Sequence, residues 1–428
     1  MTRTIRPWWK ALAVQILCAS LATASGAVDE PGKLADEAIE TNPTLEALRA
    51  RIAELDALAG AAGTWSDPVI GVEYQNAPVD TFALDDHPMS ALQLGVQQTL
   101  PPWGRSRLRE EVAASRALAS EHALVEAQSQ LRREVFQLYW RLSLSRMLEG
   151  VTREHVARAE ELLEAVRARY EIGQVGQHQL LRLGVLRDRL RDDLGNFVRA
   201  DRVLIAALSR TLSREPGGTF ATPPDVEPRP LGESVSDWLA VARAERPELK
   251  RLGESIRTAE TAAELAQVDG RPDVSVWMKY RVRRIDTPED DGTDQVSAGV
   301  SIPIPWGSAK RSWADRAAQL QAARGGRARL AAELDRIAAE LEAIHARWTR
   351  AFEQAVEYRE RLTPAARATL ETSLSDYTVG RADFATLFDS EVALLDLDRI
   401  LRTATVQTHL QAAAADATIG VSRGGGRP

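Results

Sequence analysis

The stretch Val274-Ser275-Val276-Trp277-Met278-Lys279-Tyr280-Arg281-Val282 alternates strictly, with Val, Val, Met, Tyr and Val on one side and Ser, Trp, Lys and Arg on the other. A second stretch, Gln295-Val296-Ser297-Ala298-Gly299-Val300-Ser301-Ile302, does the same. A period of two places one apolar and one polar or small face on an extended strand. The pattern also occurs earlier, where Ile70, Val72 and Tyr74 alternate with Gly71, Glu73 and Gln75, and Leu92, Leu94 and Val96 with Gln93, Gly95 and Gln97. The expected strands run over 68–76, 90–99, 273–283 and 294–303. Each pair is joined by a polar loop, 76–88 or 284–294, too long for a tight turn. Strands of about ten residues with one apolar face suit a wall with lipid outside and water inside. A hairpin packed on a soluble core has the same pattern, and its apolar face would be covered.

The chain repeats itself around these strands. Asn42-Pro43-Thr44-Leu45 answers to Arg246-Pro247-Glu248-Leu249, and Asp67-Pro68-Val69 to Arg271-Pro272-Asp273-Val274, both 204 residues on. Pro101-Pro102-Trp103-Gly104 answers to Pro303-Ile304-Pro305-Trp306-Gly307, and Tyr170-Glu171-Ile172-Gly173 to Tyr377-Thr378-Val379-Gly380. Similar landmarks in one order, twice, define a first repeat over 28–215 and a second over 231–420. Between them five prolines in Pro216–Pro230 oppose helix and give an extended link; 421–428 is a tail.

The remainder has helical spacing, as at Val135, Leu138 and Leu142. Long helices are expected over 104–170, 177–212, 307–376 and 382–418, with Pro364 bending the third. Unbroken, the first would run on the order of 100 Å at 1.5 Å per residue, so these helices must pack side by side as coiled coils.

Ahead of the first repeat, Arg3, Arg6 and Lys10 precede an uncharged stretch ending in Ser25-Gly26-Ala27. This is the pattern of a cleaved secretory signal over 1–27. Cys18 is the single cysteine, but Leu17 stands where lipoprotein signals need a small residue. Once the signal is removed the chain carries no thiol, hence no disulfide framework and no thiolate site. With 54 basic and 61 acidic residues the net charge is -7, and no basic block suggests nucleic acid. Histidines 87, 122, 155, 178, 345 and 409 are scattered without metal-ligand spacing; Asp85-Asp86-His87 reads as a solvated loop. No nucleotide loop or nucleophile elbow appears, so no enzyme, cofactor or metal site is expected.

Taken together, the order of parts resembles the TolC family of outer-membrane efflux proteins over nearly the whole mature chain. The resemblance implies a mostly α protein with membrane β: each protomer gives four strands to a twelve-stranded barrel shared by a homotrimer, and its helices form a coiled-coil tunnel in the periplasm. It implies a passive exit duct in the bacterial outer membrane, fed by an inner-membrane pump, RND type, through a periplasmic adaptor. Overall length, short loops and the Pro-Trp-Gly corner look most like the heavy-metal (CzcC-like) branch. It places Tyr170, Gly173, Tyr377 and Gly380 at the periplasmic tip that meets the adaptor. Asp389 matches the family's gate pattern, but Ala382 and Thr386 stand where an arginine and a second aspartate are usual. Arg182, Arg381, Asp383 and Asp389 are therefore the gate candidates. Trp103 and Trp306, with Tyr74 and Tyr280, are expected at the membrane interface, where amphipathic rings settle. The alternative is a periplasmic coiled-coil adaptor or scaffold, which has no reason to carry two amphipathic hairpins.

Overall fold

The computed structural model describes residues 28–76, 79–80, 82–83, 89–283 and 293–421. The expected signal with Cys18, the Asp85-Asp86-His87 loop, most of the second long loop and nearly all of the tail lie outside the described residues.

Short helices α1 (Pro31–Thr41) and α2 (Pro43–Ala62) lead to strands β1 (Val69–Gln75) and β2 (Ala91–Leu100), then to helices α3 (Arg105–Glu171) and α4 (Gln177–Thr211). The order then recurs: α5 (Val235–Glu245), α6 (Pro247–Asp269), β3 (Val274–Val282), β4 (Gln295–Ser301), α7 (Ser308–Glu357), α8 (Thr363–Thr378) and α9 (Phe384–Ile419). The paired motifs explain the breaks. Asn42 and Arg246 each precede a proline, which pushes the residue before it out of the helical region, to φ -71, ψ 121 and φ -61, ψ 121. The proline then opens the next helix at a position where its missing N–H costs nothing. Asn42 caps α2 by accepting from the Thr44 N–H at 2.9 Å.

Pro364 does not end its helix. Its ring excludes the regular bond to residue 360, and the five preceding residues, Tyr358–Leu362, widen into a π turn in which the Thr363 N–H donates to the Tyr358 carbonyl. The helical path thus continues from α7 into α8.

The described chain divides into two compact units. The sheet unit comprises Ala38–Glu134, Arg229–Glu353 and the chain from Gln407 on. It holds one antiparallel sheet in the order β1-β2-β3-β4, in which the two hairpins sit side by side through Leu94 opposite Tyr280 and Val96 opposite Met278. Its helical core joins Leu249, Ile337, Leu341, Ile344 and Ile419 to Trp238 stacked on Trp348, with centroids 6.0 Å apart. Arg246, buried, donates to the Ala417 and Thr418 carbonyls at the end of α9 and lies 3.3 Å from Glu126.

The hairpin unit comprises the chain up to Glu37, Val135–Pro228 and Gln354–Val406. Buried residues on this part of α3 recur three or four apart, at Val135, Tyr139 and Leu142, then Val151, His155, Ala159, Leu162 and Val166. Leu162 and Val166 pack with Leu183, Leu370, Leu387 and Leu394. The proline-rich link is extended, and within this unit Arg359 and Arg402 hold it through Asp225.

Candidate functional site

The register puts Ile70, Val72, Tyr74, Leu92, Leu94, Val96, Val276, Met278, Tyr280, Val296, Ala298 and Val300 on one face of the sheet. Among the described residues nothing in the unit covers it: Ile70 is 70% exposed, and Val72, Met278, Val296 and Val300 are similarly open. A contiguous apolar face of this extent is a contact surface for lipid or protein, and the packed-hairpin alternative would have buried it. The opposite face is polar or small, with Glu73, Gln93, Gln97, Lys279 and Arg281. Here the Trp277 indole packs against Gly299, where an added Cβ would overlap it, and its ring receives Lys279 at 5.5 Å. β1 and β4 each leave one edge unpaired among the described residues.

The expected interface aromatics fall at two levels. Tyr74 and Tyr280 stand on the apolar face near the long loops, where Tyr74 donates to the Phe82 carbonyl at 2.9 Å and Tyr280 to Asp294. Trp103 and Trp306 follow β2 and β4 at the opposite end, 94% and 91% exposed, so neither packs a corner. Trp65 and Trp313, at the same strand-to-helix end, are also exposed; they belong to no repeated motif, which is why the sequence did not single them out. Behind Trp103, Gly104 takes φ +87 and the buried Arg105 reaches Asp269 at 2.8 Å and also pairs with Asp273. This ties the start of α3 to the turn between α6 and β3. Gly307 takes no positive φ, so the two corners differ in detail.

The two Tyr-x-x-Gly turns end α3 and α8 in one geometry. Gly173 (φ +76) donates to the Tyr170 carbonyl and Gln174 to that of Arg169, both at 2.9 Å; Gly380 (φ +80) donates to Tyr377 at 3.1 Å and Arg381 to Asp376 at 2.8 Å. Both are Schellman caps, which demand a left-handed residue after the helix end. The tyrosines differ. Tyr377 is buried, its ring 4.7 Å from the Arg169 guanidinium, its hydroxyl donating to Gln179 at 3.2 Å and pushed up in pKa by burial. Tyr170 is exposed, as are Ile172 and Val379 in the turns.

Of the four gate candidates, the structure brings two together. Arg182 lies 3.6 Å from Asp389, and its guanidinium stacks on Phe388 at 3.9 Å; both partners of the pair are exposed. Asp383 is engaged elsewhere. It precedes α9 and caps it, accepting from the Thr386 hydroxyl at 2.6 Å and the Thr386 N–H at 2.8 Å, and these bonds hold its carboxyl below the usual range. Arg381 makes no ion pair among the described residues. The cluster that sequence reasoning missed is His155, buried between Glu391 and Asp398 at 2.6 and 3.2 Å. Separations of 236 and 243 residues leave no local signal for it.

An exposed apolar sheet with open edges in one unit and long capped helices in the other are the parts that solved outer-membrane channels also contain. The fold is that of the TolC-like outer-membrane channels, and residues 34–182 match the family model described as Outer membrane efflux protein. The fold aligns with the outer membrane protein VceC of Vibrio cholerae at TM-score 0.74 and 16% identity, covering 91% of this chain and 96% of that one. It aligns with the outer-membrane channel OprN at 0.72 and 18%, covering 93% and 91%. CusC, whose structures concern folding and transmembrane channel formation, gives 0.72 and 15% over 94% and 96%. No curated protein matches the chain by sequence.

Proposed function

We propose that three copies of this chain form the outer-membrane duct of a tripartite efflux system. The observation that carries the reading is the uncovered apolar sheet face combined with two unpaired strand edges. In a bilayer every backbone polar group must be paired, so an open four-stranded sheet has to close with further copies. Three copies give twelve strands with apolar residues toward lipid and the Glu73, Gln93 and Lys279 face toward water. A soluble scaffold would leave that apolar face in water, which argues against the adaptor alternative. The helices continue the duct into the periplasm, and the turns at Gly173 and Gly380, with exposed Tyr170, Ile172 and Val379, meet the adaptor. An inner-membrane pump of RND type supplies the energy; the chain itself performs no chemistry. Heavy-metal cations are the proposed cargo, supported by the Pro-Trp-Gly corners that resemble the CzcC-like branch. Tests are direct. Protein purified from outer membrane should have a detergent-corrected trimer mass and open discretely in a planar bilayer. A non-conducting monomer would overturn the reading. Loss of the chain should sensitise its host to cobalt, zinc or cadmium, and sensitivity to organic drugs alone would refute the metal cargo.

A further inference from the structure

His155 occupies a seam position of α3, where Val151, Ala159 and Leu162 on either side are apolar, and it is fully buried. An imidazole at such a position must find partners for both ring nitrogens. Nδ1 lies 2.6 Å from Glu391 Oε1 and Nε2 3.2 Å from Asp398 Oδ2. The two carboxylates are themselves buried, and seven residues separate them on one face of α9. A neutral imidazole has one N–H, so one contact would set a ring lone pair against a carboxylate oxygen. Only the imidazolium donates to both.

The surrounding charges agree. Arg158 on α3 acts on the ring electrostatically. On α9, Arg399 donates to Asp193 of α4 at 2.8 Å and to Thr152 of α3 at 3.4 Å. From α8, Ser373 reaches Ser390 and brings no charge. The Arg399–Asp193 pair is partly exposed and neutral in itself; the buried Glu391 and Asp398 then face one further cation at the ring, Arg158, and a proton on His155 balances them. Neutral His155 would leave a net buried negative charge, which is costly. Burial of the imidazole pushes its pKa down, but the bonds to Asp398 and Glu391 outweigh this and raise it above its ordinary 6.5.

We propose that His155, Glu391 and Asp398 form a proton-operated clamp that fastens α9 to α3, shut while the ring is imidazolium and released when it becomes neutral. Because the folded-state value is raised, the clamp contributes fully below about pH 6.5 and is lost as pH climbs through the elevated value. The longer contact, to Asp398, opens first, because the neutral tautomer keeps its proton on Nδ1 for Glu391. The part of α9 it frees carries Leu395, which packs on Val151 and Leu190. In the channel proposed above, this same helix carries Asp389 of the exposed pair with Arg182, so release loosens the hairpin at its gate pair. That consequence rests on the channel reading; the clamp does not.

Hydrogen exchange on the purified full-length mature protein from pH 6 to 9.5 tests the clamp. Uptake by a peptide covering 385–400 is divided by uptake in α6, which cancels the intrinsic pH dependence of exchange. In the wild type the ratio rises several-fold in one sigmoid step above pH 6.5. In His155→Lys, charged throughout, it stays flat. In Asp398→Asn, whose amide donates to a neutral ring, the step moves down by roughly one pH unit or more; this near-isosteric variant carries the test if the lysine variant does not fold. A flat wild-type ratio, or an unmoved step in Asp398→Asn, overturns the proposal. Bilayer recordings on the same samples keep the two readings apart: the exchange pattern without conductance sinks the channel and leaves the clamp, and conductance without the pattern does the reverse.

Discussion

At Gly173 the backbone sits at φ +76 with open space where a Cβ would be, so a substitution there is resisted by backbone geometry alone. Gly184, within α4, has the same open space and no positive φ. The same change should therefore act in opposite directions. Gly173→Ala forces an L-residue into the left-handed region and should destabilise by about 1–2 kcal/mol, while Gly184→Ala should stabilise by about 0.5–1 kcal/mol by removing backbone freedom from the unfolded chain. Urea midpoints of the detergent-solubilised protein decide it, and a shift of the same sign in both variants contradicts the cap geometry. Asp383 makes a prediction in pH. Its folded-state pKa is depressed by bonds from Thr386, so its contribution is present above the ordinary 3.8 and is lost as pH falls through the lower, folded-state value. Asp383→Asn keeps a capping side chain without a titratable charge. The acid-side loss of stability should be smaller in this variant than in the wild type, and superimposable acid titrations would contradict the assignment.

Elements were legible in the sequence wherever the signal was periodic or local. Alternation from Val274 to Val282 identified β3 and its two faces, because one residue of slippage would invert every side chain. The prolines after Asn42 and Arg246 repeat because each breaks one helix and opens the next. Contacts that join distant segments left no such trace: Arg105 meets Asp273 across 168 residues, and His155 meets Asp398 across 243. Asp383 was legible as a charge near a turn but not as a cap, since that depended on where α9 begins. Pro364 announced a lost hydrogen bond, but not that a π turn would absorb it. The element whose environment the fold makes testable is β2, with Leu94 on the exposed apolar face and Gln97 on the polar one. In a lipid-facing sheet Leu94→Arg should lower the unfolding free energy in bilayers by about 2–4 kcal/mol, and Gln97→Arg by much less. Equal effects at the two positions would mean that the apolar face does not meet lipid.

For the whole molecule the decisive feature is that β1 and β4 are both edges, and a sheet with open edges has no stable place in hydrocarbon. Within one chain they cannot meet, because β2 and β3 lie between them and three strand spacings amount to about 14 Å. A disulfide spans about 4.4–6.8 Å between Cα atoms, so any β1–β4 bridge must join different chains. The sequence makes the experiment clean, since residues 28–428 contain no cysteine. Val72→Cys on β1 is combined in turn with Val296→Cys, Ala298→Cys and Val300→Cys on β4, and each pair is oxidised in purified outer membrane. All four positions lie on the apolar face, so a match in register brings two thiols together between neighbouring copies. One pairing should give covalent dimers and trimers with the ladder stopping at three, because a closed ring has no free edge left. Slippage by two residues should cross-link poorly. A ladder that continues past three would mean open-ended strand addition, and no intermolecular product in any pairing would mean that the edges are not shared between copies.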